Sequence, residues 1–483
     1  MQLRVIQRIL GLLLMVFSVT MLPPVLVGVI YGDGAIGVFL IGFLVTLVTG
    51  LVLWLPVRRF VRELHLRDGF IVVVMFWTVL ALFGSVPFLL YDDLHLSFTE
   101  ALFESMSGLT TTGATVIVGL DTVPKALLFY RQELQWLGGM GIIVLAVAIL
   151  PMFGIGGMQL YRAETPGPMK DNKLTPRITE TAKALWYIYL GLTVACALAY
   201  WAAGMSGFDA IGHSFSTVAI GGFSTHDASI GYFNSTAIEG VAIVFMLLAG
   251  ANFALHFVAV RNMRLTVYWA DAEFRAYITV LAIITVITCT FLYYSHTFGS
   301  IGGVLHHGIF QVVSIGTTAG FTTADYHSWP GFLPALLLLL SFVGGCAGST
   351  GGGMKVIRVL LLIKQGSREI LRLIHPNAEI PVKVGGVCLS PRVIGSVWGF
   401  FALYVLAFCF MSLLLAATGL DLVTAFSAVA ACMNNLGPGL GEVGSNYASI
   451  SPVAKGILCF AMLLGRLEIF TLLVLLSPAF WRA

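Results

Sequence analysis

The sequence predicts an all-α polytopic membrane protein, in which a two-helix N-terminal preamble is followed by four pseudo-symmetric repeats. Three observations predict this fold class. Only 10% of the 483 residues are charged and 58% are hydrophobic, whereas roughly 25% are charged in an ordinary soluble domain. Apolar stretches of about 20 residues, the length that crosses a bilayer, recur along the chain. A short polar phrase centred on glycine returns between these stretches.

The apolar stretches define about ten candidate spans. They lie near residues 9–30, 36–56, 69–91, 126–152, 184–204, 236–260, 276–295, 331–363, 394–418 and 453–478. Lysine and arginine indicate the orientation, because short cytoplasmic loops carry an excess of both. Nearly all of these cations fall on one side of the predicted layout, and the other side has Lys125, Arg131 and Lys455. We therefore expect both termini to lie in the cytoplasm.

The composition also excludes several functional classes. A net charge of +3 is too small to indicate a nucleic-acid partner. The seven cysteines are scattered singly, without the C-x-x-C spacing of metal or redox sites. No nucleophile and base are arranged in a pattern typical of an enzyme. We therefore expect a protein that contacts the lipid bilayer and performs no catalysis.

Each of four outer connections contains a semi-apolar stretch of about a dozen residues, which is too short to cross the membrane. These stretches cover residues 98–109, 208–218, 304–316 and 423–433, and they fit re-entrant half-helices. The polar phrases that follow are TTTGAT, AIGGFS, TTAGFT and NNLGPG, which align on Gly113, Gly222, Gly320 and Gly437. One match could arise by chance in a glycine-rich chain, but four in the same place indicate a repeat.

The aligned phrases have the properties of a cation path. Non-helical backbone at membrane depth is tolerated where it lines a polar path or is buried in protein. Four turns around one axis would present rings of carbonyl oxygens, which can replace the hydration shell of a potassium ion. Glycine permits this because it adopts positive φ and approaches the axis without a Cβ. The candidate cation ligands are Thr110, Thr111, Thr112, Gly113, Ala219, Ile220, Gly221, Gly222, Thr317, Thr318, Ala319, Gly320, Asn434, Asn435, Leu436 and Gly437.

The side chains of the phrases indicate which ion would fit. The threonine hydroxyls either contact the ion or hydrogen-bond to local backbone, and both possibilities are open. Half-helices whose C-terminal ends point inward would add partial negative charge that favours a cation. The phrases contain no carboxylate, which argues against a ring for divalent ions.

Four further segments accompany the phrases: YRQELQWLGGMGIIVLAVAILP, GGFSTHDASIGYF, GGCAGSTGGGMKVIR and GRLEIFTLLVLL. Together they resemble the Trk/Ktr/HKT superfamily of potassium transporters, most closely its bacterial TrkH-type branch, over essentially the whole chain. The resemblance implies a single-chain, potassium-channel-like pore whose repeats consist of helix, pore helix, filter and helix, with K+ as the transported ion bound in the filter. It implies a homodimer in the cell inner membrane and a cytosolic ring of Rossmann-like nucleotide-binding regulatory subunits. Sodium-preferring plant relatives carry serine at the first filter position, so Gly113 points to potassium.

The repeats divide the chain into five expected units. They are 1–66 for the two-helix N-terminal domain and 67–160, 161–260, 261–364 and 365–483 for pore repeats 1 to 4. The second and fourth repeats begin with basic, proline-containing linkers at 161–183 and 364–386, where the resemblance implies docking of the regulatory subunits. The fourth phrase, with Asn434, Asn435 and Pro438, departs furthest from the others, so we expect an asymmetric ring.

One predicted span carries a candidate gate. The stretch from Pro330 to Lys364 would be roughly 50 Å long as a single helix, too long for one crossing. Its glycine-rich centre, Gly344 to Lys355, favours a loop inside the membrane. The resemblance implies that this loop obstructs the pore and moves to permit conduction, and close packing of a glycine patch is the alternative. A nucleotide P-loop is disfavoured because Met354 occupies the lysine position. The candidate gating residues are Gly344, Gly345, Gly348, Gly351, Gly352, Gly353, Lys355 and Arg466.

Arg466 lies about halfway along the last predicted span, where an arginine usually faces a cavity or a partner. We expect it to face the pore below the filter, contact the glycine-rich loop and form an electrostatic barrier to the cation. The alternative is that it satisfies buried carbonyl groups at a helix break. Glu468 is two residues away, so the two side chains cannot share a helix face.

Two functions from different classes fit these features. The leading interpretation is potassium uptake through a gated pore. The alternative is an ion-coupled secondary transporter, a proton or sodium symporter built on broken helices. Such transporters more often show two inverted halves, whereas this chain repeats one motif four times on the same side.

Overall fold

The computed structural model describes residues 2–60, 66–144 and 178–482. The N-terminal preamble contains α1 (Leu3–Val19), α2 (Leu22–Tyr31) and α3 (Ile36–Trp54). Gly11 and Gly50 lie where α1 crosses α3: a Cβ on Gly11 would be 2.8 Å from the Gly50 carbonyl oxygen, and one on Gly50 would be 2.9 Å from that of Gly11. Small residues thus allow the two backbones to approach closely, as membrane helices require.

Four repeats follow the preamble, each with a first helix, a half-helix and a second helix. Repeat 1 contains α4 (Leu66–Gly84), α5 (Val86–Leu90), α6 (Phe98–Leu109) and α7 (Lys125–Val144). Repeat 2 contains α8 (Ile178–Ala202), α9 (Gly207–Ala219), α10 (Thr236–Ala249) and α11 (Phe253–Asn262), and α12 (Thr266–Ala270) leads out of it. Repeat 3 contains α13 (Ala272–Tyr294), α14 (Ile301–Thr317), α15 (Leu333–Val343) and α16 (Val356–Ile374). Repeat 4 contains α17 (Pro391–Ala416), α18 (Leu422–Met433), α19 (Pro452–Arg466), α20 (Phe470–Leu476) and the terminal α21 (Pro478–Trp481).

The chain is therefore an all-α polytopic membrane protein, as the sequence predicts. Within the described residues, six helices are long and apolar enough to cross a membrane, or up to eight if each bent pair counts as one span. A hairpin of β1 (Lys383–Val384) and β2 (Val387–Cys388) precedes α17, and its register pairs Lys383 with Cys388. With two residues per strand, it adds no sheet layer to the fold.

The four half-helices α6, α9, α14 and α18 begin at side chains that cap their free backbone N–H groups. Ser97, Ser206 and Ser300 accept hydrogen bonds from the backbone N–H groups of Glu100, Asp209 and Gly303. Asp421 accepts from Val423 and Thr424. Such caps stabilise a helix start by about 1 kcal/mol each. The predicted half-helices are confirmed to within three residues at each end.

Two of the predicted spans are each divided into two helices by a sharp bend. The stretch near 236–260 bends by 96° between α10 and α11, and the stretch near 453–478 bends by 118° between α19 and α20. At the first break, the Gly250 carbonyl accepts the Cys346 N–H at 2.8 Å, and Asn252 caps α11. At the second break, Glu468 and Ile469 adopt positive φ values of 53° and 60°. Distant contacts and left-handed residues, rather than proline, therefore end these helices.

Three further expectations about the predicted spans have different outcomes. The interruption between Gly344 and Lys355 is confirmed, because α15 ends at Val343 and α16 begins at Val356. The first predicted span, near 9–30, is divided into α1 and α2 at Thr20 and Met21. The end of the predicted span 126–152 and residues 161–177 of the first cytoplasmic linker lie outside the described residues.

Candidate functional site

The same backbone turn ends all four half-helices. In each repeat, the N–H group of the residue before the aligned glycine donates to the carbonyl group five residues earlier. The four pairs are Thr112 to Ser107 at 2.9 Å, Gly221 to Ser216 at 2.8 Å, Ala319 to Ser314 at 2.7 Å, and Leu436 to Ala431 at 2.7 Å. This is the capping bond that terminates many helices at a left-handed residue. Because the bond uses the carbonyl group, Ala431 can replace serine in the fourth repeat without altering the turn.

Each turn contains two left-handed residues separated by one that is not left-handed. The first left-handed residues are Thr111, Ile220, Thr318 and Asn435, with φ of 55°, 54°, 70° and 52°. The second are the aligned glycines Gly113, Gly222, Gly320 and Gly437, with φ of 79°, 79°, 79° and 96°. Because left-handed and other backbone conformations alternate along the turn, successive peptide groups point toward the same side of the chain. The four phrases thus share one backbone geometry despite their different sequences.

The four turns close into a ring. A Cβ on Gly113 would collide with the carbonyl oxygen of Gly221, and one on Gly222 would collide with that of Ala319. A Cβ on Gly320 would collide with the carbonyl oxygen of Leu436, and one on Gly437 would lie 2.7 Å from that of Thr112. Each glycine therefore contacts the residue before the glycine of the next repeat. The structure brings the four predicted phrases together in the order 1, 2, 3, 4 and back to 1, with no room for a side chain.

The threonine hydroxyls of the phrases are engaged by the protein. Thr110 Oγ1 donates to the Met106 carbonyl oxygen at 2.7 Å, and Thr317 Oγ1 donates to that of Val313 at 2.8 Å. For these two residues, the structure shows the local hydrogen bonding that the sequence left open. Thr318 Oγ1 instead accepts the N–H group of Gly352 at 2.6 Å. The backbone carbonyl groups are thus the main polar groups of the ring.

The fourth phrase differs from the others through its two asparagines, as the sequence indicates. The Asn435 amide donates to Thr112 Oγ1 at 2.9 Å and to the Met462 carbonyl oxygen at 3.1 Å. The Asn434 amide donates to Ser341 Oγ at 2.8 Å and accepts a hydrogen bond from the Tyr404 hydroxyl. These side chains join phrase 4 to phrase 1 and to α15, so the ring is asymmetric behind a nearly symmetric backbone.

Three bracing residues were not predicted from the sequence. Gln135 donates to the Gly221 carbonyl oxygen at 2.5 Å and accepts the Phe223 N–H group at 3.0 Å. The Tyr447 hydroxyl donates to the Gly437 carbonyl oxygen at 2.7 Å, and the Tyr326 hydroxyl contacts the carbonyl oxygens of Pro438 and Gly439 at 3.0 Å. A signal for Gln135 exists in the polar run RQELQ within an apolar span. The tyrosines follow their phrases without any distinctive pattern.

A cavity of about 330 Å³ lies on the outer side of the ring and is lined by all four aligned glycines. His226 lies at its wall, bonded to Asp121 and 3.7 Å from Asp209. Partial burial opposes protonation of His226, but the neighbouring carboxylates of Asp209 and Asp121 outweigh this effect and raise its pKa. Burial opposes ionisation of Asp209 and by itself would raise its pKa. The neighbouring His226 and the hydroxyl groups of Ser206 and Thr225 outweigh burial and lower this pKa. The outer mouth is therefore polar and carries opposed charges.

A second charged pair lies beside the first half-helix. Lys455 Nζ lies 2.8 Å from Glu100 Oε1, and the lysine side chain is 3% exposed. Burial alone would raise the pKa of Glu100, but hydrogen bonds from Lys455 and Ser97 lower it to about 2. Glu100 thus remains ionised and connects the start of α6 to α19 of repeat 4.

The glycine-rich loop, residues 344–355, lies against the inner side of the ring. The Gly352 N–H group donates to Thr318 Oγ1 at 2.6 Å, and the Gly353 N–H group donates to the Asn434 carbonyl oxygen at 3.0 Å. A Cβ on Gly351 would lie 2.8 Å from the Thr317 carbonyl oxygen. The loop therefore contacts the third and fourth phrases directly.

Other hydrogen bonds hold the loop in place, from neighbouring helices and within the loop itself. Thr350 Oγ1 donates to the Val218 carbonyl oxygen in repeat 2 at 2.9 Å. Glu273 accepts the N–H groups of Ala347 at 2.7 Å and Ile357 at 3.1 Å. Lys355 Nζ donates to the Gly351 carbonyl oxygen within the loop. The loop is thus held by hydrogen bonds to several elements of the fold.

Arg466 is the last residue of α19 and contacts both the loop and the first phrase. Its guanidinium donates to the carbonyl oxygens of Gly138 and Gly139, the latter at 3.3 Å. It also donates to Thr111 Oγ1 at 3.3 Å and to the Thr350 carbonyl oxygen at 3.5 Å. The arginine therefore satisfies carbonyl groups at a helix break and also contacts the loop, whereas its role as an electrostatic barrier stays a prediction.

The residues described by the structure contain no group of three or more His, Cys, Asp or Glu side chains that could hold a metal ion. Glu104 and Asp209, two carboxylates in the half-helices, have different partners. Asp209 accepts the Ser206 hydroxyl at the start of α9 and also bonds to Thr225. Glu104 pairs at 2.7 Å with Arg131, which lies on the next helix.

Comparison with known proteins gives consistent matches over the full chain. A family model described as "TrkH: Cation transport protein" matches residues 35–482. The chain is 60% identical over 485 residues to the Trk system potassium uptake protein TrkH of Vibrio parahaemolyticus serotype O3:K6, with 100% of both chains covered. It is 58% identical to TrkH and 44% identical to TrkG of Escherichia coli strain K12, with at least 99% of each chain covered. The crystal structure of the potassium transporter TrkH from Vibrio parahaemolyticus superposes with a TM-score of 0.91 at 57% identity, covering 100% of both chains.

Proposed function

Because the chain belongs to the TrkH family of cation transport proteins, we propose that it takes up potassium ions across the cell membrane through a single-chain pore. The family consists of transporters, so the chain is not an enzyme. The observation that carries the proposal is the closed ring in which each aligned glycine contacts the carbonyl group of the neighbouring repeat. A ring of backbone carbonyl groups without a carboxylate suits a monovalent cation.

The proposed filter consists of the four aligned phrases, and K+ is bound there as the transported ion. Its carbonyl groups come from residues 110–113, 219–222, 317–320 and 434–437. Uncharged carbonyl groups bind an ion firmly enough to replace its water and weakly enough to release it to the next position. The capping bonds at the ends of the half-helices support this role, because they give all four turns the same backbone geometry.

The glycine-rich loop and Arg466 form the proposed gate. The loop contacts the inner side of the ring at Thr318 and Asn434. Arg466 bridges the loop and the first phrase through Thr350 and Thr111. A cation leaving the filter would meet the N–H groups of Gly352 and Gly353 and the guanidinium of Arg466, which repel positive charge. Conduction therefore requires that the loop move away.

The proposed assembly is a homodimer in the cell inner membrane, with both termini in the cytoplasm and with five units at the boundaries predicted from the sequence. A cytosolic ring of Rossmann-like nucleotide-binding regulatory subunits would control the gate. The relatives' names place them in a "Trk system", which supports further components. The end of α16 carries Arg368 and Arg372, and α16 is joined directly to the glycine-rich loop, so a docked partner could move the loop.

An ion-coupled symporter is the second candidate, because α10/α11 and α19/α20 are broken helices of the kind such transporters use. The test is 86Rb+ uptake into liposomes that contain the purified protein, with competing potassium or sodium. We expect potassium to compete at lower concentration than sodium, and uptake to need no proton or sodium gradient. Equal competition by both ions would contradict the potassium filter. Uptake that appears only with a proton or sodium gradient would favour the symporter.

A further inference from the structure

The position nine residues before each filter glycine lies in the half-helix, and in repeats 1 to 3 its side chain bonds to the segment that follows the filter phrase. It holds Glu104, His213, Gln311 and Ala428 in repeats 1 to 4. His213 Nε2 bonds to Ser224 Oγ at 2.9 Å, and Gln311 donates to the Ala324 carbonyl oxygen at 3.2 Å. In repeat 4 the neighbouring Ser427 performs this role by bonding to Leu440. Three repeats therefore use neutral braces, and only repeat 1 has a carboxylate at this position.

Glu104 is 0% exposed and is surrounded by donors. It accepts the Val116 N–H group at 2.9 Å and the Thr115 hydroxyl at 3.0 and 3.1 Å. Its third partner is Arg131 Nε at 2.7 Å. An ionised carboxylate suits this place because it only accepts hydrogen bonds. A glutamine would direct its NH2 group toward at least one of these donors.

Arg131, which is 1% exposed, extends the brace to the second repeat. Its NH1 group donates to the Ser224 carbonyl oxygen at 3.1 Å, and its NH2 group donates to Thr115 Oγ1 at 3.0 Å. The guanidinium carbon lies 4.2 Å from the centre of the Phe223 ring. The rigid fork of an arginine can hold several acceptors in fixed geometry. Arg131 thus joins the segment after Gly113 to the segment after Gly222.

We propose that Glu104 and Arg131 are positioning residues that hold filter phrase 1 against phrase 2 and thereby set the preference for potassium over sodium. The inference rests on the proposed function, because it concerns the same filter. A buried ion pair is a weak source of stability, since desolvation offsets most of the attraction. Its value here is geometric: Gly113 already contacts the Gly221 carbonyl group, and the pair fixes the residues that follow both.

The test compares 86Rb+ uptake by potassium-depleted bacteria that lack their own potassium-uptake membrane proteins and produce the full chain. The readout is the ratio of the sodium to the potassium concentration that halves uptake, which does not depend on the amount of protein. The variants are Glu104→Gln and Thr115→Val, and the second removes the hydroxyl that links Glu104 to Arg131. The matched control is Glu133→Gln, another buried carboxyl group on the same helix as Arg131, whose Oε2 has no hydrogen-bond partner among the described residues.

We expect the ratio to fall at least fivefold in Glu104→Gln and in Thr115→Val, while Glu133→Gln stays within twofold of the parent protein. Arg131→Lys, which keeps the charge and loses the fork, should give an intermediate ratio. Ratios unchanged in Thr115→Val and in any Glu104→Gln protein that reaches the membrane would overturn the inference. An equal fall in Glu133→Gln would also overturn it, because the effect would then not belong to the pair. If the parent protein itself shows no preference for potassium, the proposed function fails, and this result is distinct from the others.

Discussion

Replacing Gly113 with serine perturbs the ring at one contact and tests the proposed filter directly. Gly113 has a φ of 79°, and a Cβ there would collide with the Gly221 carbonyl oxygen. The left-handed conformation costs an L-residue about 1–2 kcal/mol. Overpacking a tightly filled site costs about 1–3 kcal/mol more. The two effects together exceed the 1.4 kcal/mol that corresponds to a tenfold change in an equilibrium constant.

The Gly221 carbonyl group must therefore move when the serine is accommodated, and the ring loses its spacing. We expect the potassium-over-sodium ratio in competed 86Rb+ uptake to fall at least tenfold in Gly113→Ser. The control is Gly240→Ser on α10, where a Cβ meets no atom within 4 Å. This control should keep the parental ratio. A folded Gly113→Ser protein with undiminished potassium preference would refute the assignment of the ring as the selective site.

Three further predictions concern the gate and the outer mouth. Thr318→Val removes the acceptor of the Gly352 N–H group. Since a hydrogen bond contributes about 0.5–1.5 kcal/mol, the basal 86Rb+ leak into liposomes should rise by about two- to tenfold. The control Thr49→Val, on the exposed face of α3, should leave the leak unchanged. Arg466→Ala removes the donor shared by Thr111 and Thr350, so leak without regulatory subunits should increase, and unchanged uptake and leak would exclude this arginine from the gate. The raised pKa of His226 means that its attraction to the carboxylates of Asp121 and Asp209 stabilises the protein fully below pH 6.5, and this stabilisation is lost as the pH rises through the raised pKa. The Tm of the parent protein should therefore drop over that window relative to His226→Gln. Parallel curves of Tm against pH between 5.5 and 9 would contradict the assignment.

The repeat could be predicted from the sequence because its signals are local. Each half-helix is an apolar stretch too short to cross the membrane, and each turn needs a glycine at one position. The interruption before α16 was also evident, since a run of glycines cannot continue a helix within a span. These features depend on a few consecutive residues, so spacing and composition were sufficient to locate them.

The remaining features depend on contacts between distant residues, which no local pattern encodes. The bend after α10 arises where the glycine-rich loop donates to Gly250, nearly one hundred residues away. Gln135 supports a carbonyl group in the next repeat, and Glu104 bonds to a guanidinium on another helix. The bend after Arg466 follows from two left-handed non-glycine residues, Glu468 and Ile469, a conformation for which side chains give little warning.

The four turns of the ring belong to one polypeptide, and this has a genetic consequence. In an assembly of four identical subunits, every substitution is introduced four times by symmetry. Here a mutation changes a single quadrant, so the third repeat can acquire an inner loop, the fourth an arginine, and the first a charged brace, while the other quadrants keep their shape. A gene encoding such a ring can therefore change one quarter of the proposed filter at a time, and the proposed gate and the proposed brace can each be confined to particular repeats.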